Sequence, residues 1–166
     1  MAELLIQIKK KPDGDYVLSC SRADGSVTWQ RHGGQTGRFF PLHDLTHYAV
    51  ETVLKHRRGF YGLVADGWNL EDFGSPWPRG PLPDDMDPSE GIVGLLDLER
   101  TQGGRRTVSD LLAAAEGTPS VAAATMVRVG EAELDAVRAR RTELIAMWEE
   151  LPAGGALELP FDRSDW

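Results

Sequence analysis

The densest run of chemistry-bearing side chains in this 166-residue sequence is Pro41-Leu-His-Asp-Leu-Thr-His-Tyr-Ala-Val-Glu, with His43, His47 and Glu51 at successive four-residue intervals. Helical positions four apart differ by about 40° around the axis and lie one turn apart along it, so two such imidazoles converge on one point. A helix offers two ligands to a divalent metal such as zinc in this way. Glu51 extends the row but has drifted about 80° from His43, so a third ligand from elsewhere in the chain fits an ion better than three from one helix. Asp44 occupies the slot that the acid of an H-E-x-x-H helix uses as general base on metal-bound water, with a side chain one methylene shorter. An acid in a first helical turn also caps free N–H groups and complements the helix dipole. Three uses therefore stay open. His43 and His47 can line a ligand cleft as hydrogen-bonded groups. They can form a metal site with Glu51, with Asp44 catalytic. Or they can serve other acid–base work.

The elements around this run read in order along the chain. Leu4–Ile8, Tyr16–Ser21 and Val27–Arg31 are short strand-like runs separated by two Asp-Gly turns, which predicts an antiparallel meander within residues 1–41. Val27, Trp29 and Arg31 share one face by the period of two, with Trp29 expected in the core. The segment His32-Gly-Gly-Gln-Thr-Gly-Arg reads as a sheet-to-helix connection, because it has neither a dinucleotide fingerprint nor the Lys-Ser/Thr of a phosphate loop. A helix is predicted from near Leu42 to about His56, within a His-bearing segment spanning 42–73. Leu45, Tyr48, Ala49, Thr52 and Val53 form its core stripe. Val50 and Leu54 share the histidines' side, so the helix is expected to be covered on both sides.

Residues 74–90 hold five prolines and read as a loop or lid. Trp68 and Trp77 flank it, which suggests an aromatic-lined ligand pocket beneath. Asp87-Pro-Ser-Glu has the makings of a helix start, opening a helical section over 91–151. A short helix is expected from Thr107 or Ser109 through Leu111, Leu112 and Ala115. Leu134, Val137, Arg141, Leu144, Trp148 and Leu151 then follow a three/four spacing, widened by Ile145, either as a core face or as a surface for a partner helix or homodimer. Residues 156–161 (Ala-Leu-Glu-Leu-Pro-Phe) read as a closing strand that can join the N-terminal sheet. Strands and helices come in blocks, so the fold class is α+β, within a single domain over 1–166.

Pro41-Leu-His-Asp-Leu-Thr-His-Tyr-Ala-Val-Glu, followed by Arg58-Gly-Phe-Tyr-Gly, resembles a family of uncharacterised bacterial proteins sharing a P-H-D-L-x-H-F/Y-x-V-E segment and a following G-F-x-G. The end of the chain, Trp148 and Leu151-Pro-Ala-Gly-Gly-Ala-Leu-Glu-Leu, is similar to that family's C-terminal end. Leu42, inserted between Pro41 and His43, departs from the pattern. The family carries no established activity, so the resemblance implies kinship without a mechanism.

Charge sharpens where to look. The net charge is −8, with residues 1–83 holding ten Lys/Arg against nine Asp/Glu and residues 84–166 holding eight against seventeen. That balance argues against nucleic acid as a partner. All four histidines lie in the near-neutral half. No run approaches the length of a membrane-spanning helix, and Glu3 and Gln7 interrupt the first apolar stretch, so a cytoplasmic location is expected. The lone Cys20, in a strand-like run, reads as a small buried thiol. The function expected first is a small-ligand or protein-binding module with a cleft lined by His43 and His47, and the alternative is a metal-dependent hydrolase.

Overall fold

The structure, a computed structural model, describes residues 2–110, 113 and 129–166. The fold is α+β. Four antiparallel strands, β1 (Leu4–Lys10), β2 (Tyr16–Arg22), β3 (Val27–His32) and β4 (Ala156–Phe161), form a sheet in the order β3-β2-β1-β4. Both hairpin turns place their glycine in the left-handed region, Gly14 at φ +87° and Gly25 at φ +87°. A residue with a Cβ adopts that region at a cost, so the two Asp-Gly pairs fix the register of the meander. That register sets Ile6 opposite Cys20 on one side and Leu159 on the other.

One face of the sheet is the core. Leu4, Ile6, Ile8, Tyr16, Leu18, Cys20, Leu157, Leu159 and Phe161 alternate inward and are buried. The outer face carries Leu5, Val27 and Trp29. Trp29 is 65% exposed, so the expectation of a core role for it is corrected: it shares its face with Val27 and Arg31 on an edge strand that no helix covers among the described residues.

Helix α1 runs over Gly34–Leu54, eight residues ahead of the predicted start, so the glycine-rich segment is its first turns and the meander ends at His32 rather than near 41. Pro41 lies inside it. A proline in a helix removes one hydrogen bond and crowds the carbonyl four residues back, which here belongs to Gly37. Gly37 also lets the helix start sit against the end of β3, since a Cβ there would stand 2.9 Å from the His32 carbonyl oxygen.

Two short elements follow: helix α2 (Phe60–Ala65) and a 3-10 turn over Leu70–Phe73. The turn is fastened to the sheet because the Leu70 N–H donates to the Thr28 hydroxyl at 2.9 Å. Helix α3 (Ser89–Gln102) begins directly after Pro88, as the Asp-Pro-Ser-Glu pattern predicts. Helix α4 (Glu131–Glu150) packs on α1 with Leu134, Val137 and Leu144 in the core, so much of its apolar stripe is covered within the chain. The helix expected through Leu111, Leu112 and Ala115 lies, beyond its start, outside the described residues. No described helix is long and apolar enough to cross a membrane.

Candidate metal centre and cleft

α1 is covered on both sides, by the sheet and α4 and by α2 and α3, and residues 44–51 are all buried. The histidine row therefore lies beneath α3 rather than in solvent. His43 and His47 each present one ring nitrogen to a carboxylate behind them. His43 Nδ1 is 2.7 Å from Asp97 Oδ2 on α3, and His47 Nδ1 is 3.3 Å from Glu51 Oε1 on the same helix. These contacts leave both Nε2 atoms directed the same way, toward Glu90 in the first turn of α3. His47 Nε2 stands 2.8 Å from Glu90 Oε2, and His43 Nε2 stands 3.9 Å from Glu90 Oε1. One ligand atom from each of His43, His47 and Glu90 falls within 4.8 Å of the others.

The third member is thus Glu90, and the expectation that Glu51 would be a ligand is replaced by a different placement. Glu51 is fully buried, and its Oε2 accepts from the N–H groups of Tyr61 (3.0 Å) and Gly62 (3.2 Å) at the start of α2. Those two donors are among the groups a helix N-terminus leaves unpaired. Glu51 therefore closes the α2 terminus with one oxygen and orients His47 with the other. The approach needs Gly59: a Cβ there would meet Glu51 Oε2 at 2.7 Å and Ser89 Oγ at 2.5 Å. Gly62 is equally constrained, with the Arg57 carbonyl carbon 2.8 Å from where its Cβ would be. Both glycines of Arg58-Gly-Phe-Tyr-Gly thus have a packing reason.

The turn between α1 and α2 also places Glu90. The Arg58 N–H donates to Asp87 Oδ2 at 2.7 Å, the Asp87 N–H donates to the Arg58 carbonyl at 3.0 Å, and His56 Nδ1 lies 2.7 Å from Ser89 Oγ. Three contacts hold residues 87–89, so the first turn of α3, and Glu90 with it, is set over the histidines.

Electrostatics follows the geometry. Burial alone would lower the His47 pKa, but the carboxylates of Glu51 and Glu90 outweigh it and hold the imidazolium well above its ordinary range. Glu90 is the reverse case: desolvation of its carboxylate would raise it, and His47, then His43, pull it below the usual carboxylate range. The Glu90 side chain as a whole is 71% exposed, so this pair is a partly solvated one and not a large store of stability. Asp44 is buried and accepts a hydrogen bond from the Tyr16 hydroxyl at 2.5 Å; burial pushes its carboxyl up to about 6 against that hydrogen bond and the two histidines.

His43, Asp44, His47 and Glu90 line one wall of a cleft of about 420 Å³. Trp77, in the proline-rich segment, lines the same cleft. Trp68 does not. It is buried against Phe73, with the Arg79 guanidinium 4.8 Å from its ring centroid, and it supports the loop from behind. Residue-by-residue reading missed Glu90 and Asp97 as members of the constellation. The acid of Asp87-Pro-Ser-Glu was the available signal for Glu90, since an acid in a first helical turn is either a dipole partner or a ligand. Asp97, seven residues on, lies on the same face of α3 by helical periodicity. Compared with protein-family models, with curated proteins and with solved structures, the chain finds no match in any of the three.

Proposed function

We propose that the protein binds one divalent cation of the zinc type through His43 Nε2, His47 Nε2 and the Glu90 carboxylate, and takes a small ligand in the cleft beside it. The observation that carries this reading is the pair of carboxylates behind the histidines. Metal-ligating imidazoles characteristically donate their second N–H to an acid, which fixes the tautomer and aims the other nitrogen at the ion. Asp97 and Glu51 stand in that position, behind His43 Nδ1 and His47 Nδ1. Two histidines and one carboxylate leave coordination positions open, which is the arrangement of catalytic rather than closed structural sites. Donors of a tetrahedral ion about 2.1 Å away stand about 3.4 Å apart, so the set tightens by up to about 1.4 Å on binding. Glu90, with its exposed side chain, has the freedom to supply most of that movement.

Hydrolysis is the second reading, and Asp44 favours it. Its buried carboxyl lines the same cleft, and a pKa near 6 suits a group that takes and returns a proton around neutral pH. The test of the metal reading is calorimetric titration of chelator-treated protein, prepared without a polyhistidine tag, with zinc. One site per chain is expected, weakened at least about tenfold in His43→Ala, His47→Ala and Glu90→Ala. Ligands must be deprotonated to bind a cation, so titration in buffers of differing ionisation enthalpy is expected to show proton release. Heat traces equal to those of the triple-alanine variant would end the reading.

A further inference from the structure

We infer that the groove between α1 and α3 is a second subsite of the metal centre. The ligand is an extended, uncharged amide or ester lying across the ion, with one apolar group in the cleft and another in the groove. This rests on the metal reading above and adds the chemical class of the ligand. The groove, about 480 Å³, is lined by Phe39, Phe40, Gly94 and Leu98 together with His43 and Glu90. The cleft shares Phe40, His43 and Glu90 with it and carries Phe73, Trp77, Leu82 and Met86 beyond them. The two hollows therefore meet at His43 and Glu90, two of the three proposed ligands. A molecule bound at the ion has an apolar hollow on either side, each within the size range of small-molecule sites.

The groove is kept open by the chain itself. Gly94 lies in the middle of α3, where a glycine costs helix stability relative to alanine. Neither usual reason for a helix glycine applies to it. Its φ is not in the left-handed region, and a Cβ there would meet nothing within 4 Å among the described residues. A larger side chain at 94 would project into the groove. Phe39 and Leu98, which line it from α1 and α3, are 40% and 43% exposed, leaving apolar surface open beside a polar cluster. Phe39 also leads inward, since its ring stacks on His43 with centroids 5.3 Å apart and planes 27° from parallel.

The charges select uncharged ends. Asp44, Glu90 and Asp97 line one hollow or the other, Glu51 stands behind His47, and no lysine or arginine lines either. The Arg100 guanidinium, 5.8 Å from the Phe39 ring centroid, is paired with Asp97 at 3.4 Å. A divalent ion offsets two of the four carboxylates, and the histidines bound to it are neutral. Neither hollow then offers surplus positive charge to an anionic group. A cationic group would be desolvated between apolar walls beside the ion itself. What remains is a neutral donor for the open coordination positions, and an amide or ester carbonyl oxygen is one that a zinc-type ion binds and polarises.

The test is equilibrium dialysis of benzyloxycarbonyl-leucyl-leucinamide, its C-terminal free acid and N-acetyl-leucinamide against zinc-loaded protein, with zinc content measured in the same samples. The long amide is expected to bind at least about tenfold more tightly than N-acetyl-leucinamide, which can fill only one hollow. Gly94→Leu fills the groove, Trp77→Ala removes a wall of the cleft, and neither touches a metal donor. Each is expected to weaken the long amide by about tenfold at an unchanged one zinc per chain. Leu98→Ala, a change at an exposed position, is expected to act in the same direction as Gly94→Leu and replaces it should that variant not fold. Weakening by a substitution on one side only, or no binding of the long amide at one zinc per chain, overturns the inference and leaves the metal reading standing. A free acid bound more tightly than the amide overturns the uncharged ends. Protein that retains no zinc refutes the reading beneath and this inference together, and the zinc measurement tells that outcome from the others.

Discussion

Glu51→Gln separates the two duties of the buried carboxylate and tests the link between tautomer and metal affinity. In the wild type, Oε2 takes the Tyr61 and Gly62 N–H groups and Oε1 faces His47 Nδ1 at 3.3 Å. A glutamine amide is nearly isosteric but has only one acceptor atom. The two backbone donors claim its oxygen, since turning the NH₂ toward them would leave two buried N–H groups facing a donor. The NH₂ must then face His47 Nδ1, which loses its proton and becomes an acceptor, leaving a neutral ring with its one proton on Nε2. An Nε2–H can still donate to Glu90 at 2.8 Å, so the metal-free fold has a satisfactory arrangement. Ligating an ion through Nε2 would put the ring proton back on Nδ1, facing the glutamine NH₂, whereas the wild-type Glu51 carboxylate accepts it there. Replacing charged acceptors by a neutral one costs on the order of 1–2 kcal/mol of stability, read as a lower urea midpoint with an unchanged slope. Loss of a partner behind a ligand typically costs about 10- to 100-fold in metal affinity, and the calorimetric zinc titration is expected to show a loss in that range. Glu51→Ala would leave both backbone donors bare and is the wrong variant, because unfolding would mask the effect. Zinc affinity within about twofold of wild type in a folded Glu51→Gln protein would show that Glu51 does not set the His47 tautomer for zinc binding.

Other perturbations follow from the same contacts. Gly59→Ala sets a methyl group against the Glu51 carboxylate and Ser89 Oγ and is expected to cost roughly 1–3 kcal/mol by urea unfolding, as overpacking does. Asp44 has its folded pKa raised by burial to about 6 from 3.8, so its contribution to stability is full below about pH 3.8 and is lost as pH rises through 6. Asp44→Asn mimics the protonated form; in zinc-free protein it is expected to match wild type near pH 4 and to exceed it by up to about 3 kcal/mol near pH 8, measured by urea titration at both. An equal difference at the two pH values would contradict that cause. Cys20 is buried, and burial pushes its thiol well above the ordinary range, so a disulfide reagent is expected to label it only after denaturation, at one equivalent per chain.

Much of the scaffold was legible because local rules and tertiary structure agree. The two Asp-Gly pairs demanded left-handed glycines, and the alternation of Leu4, Ile6 and Ile8 demanded one buried face; the sheet satisfies both. The closing strand was legible in the same way, since Leu157 and Leu159 alternate with exposed Glu158. Which face of the sheet a helix layer would cover was not, and Trp29 stands outward for that reason. The start of α1 was misplaced because His32-Gly-Gly-Gln-Thr-Gly-Arg reads as a connection, whereas Gly37 lets that segment coil closely against the end of β3. At the site, the four-residue spacing of His43 and His47 revealed the pair and its face. Glu90, the third member of the cluster, lies across the proline-rich segment, 43 residues beyond His47, and no periodicity spans such a gap. Glu51 had the right spacing to be a ligand, but the N-terminus of α2 was near enough to claim it, a fact that exists only after folding. Trp68 and Trp77 were alike as residues flanking a loop, and the fold distinguished them by placing one behind the cleft and the other on it.

X-ray absorption at the zinc edge on the zinc-loaded, untagged protein reads out whether both histidines and Glu90 hold one ion. The expected spectrum has two imidazole nitrogens at about 2.0 Å and low-Z oxygen scatterers completing the shell, with one imidazole lost in His43→Ala and one in His47→Ala. A shell with no imidazole contribution, or one that survives both substitutions unchanged, would rule out His43 and His47 as ligands.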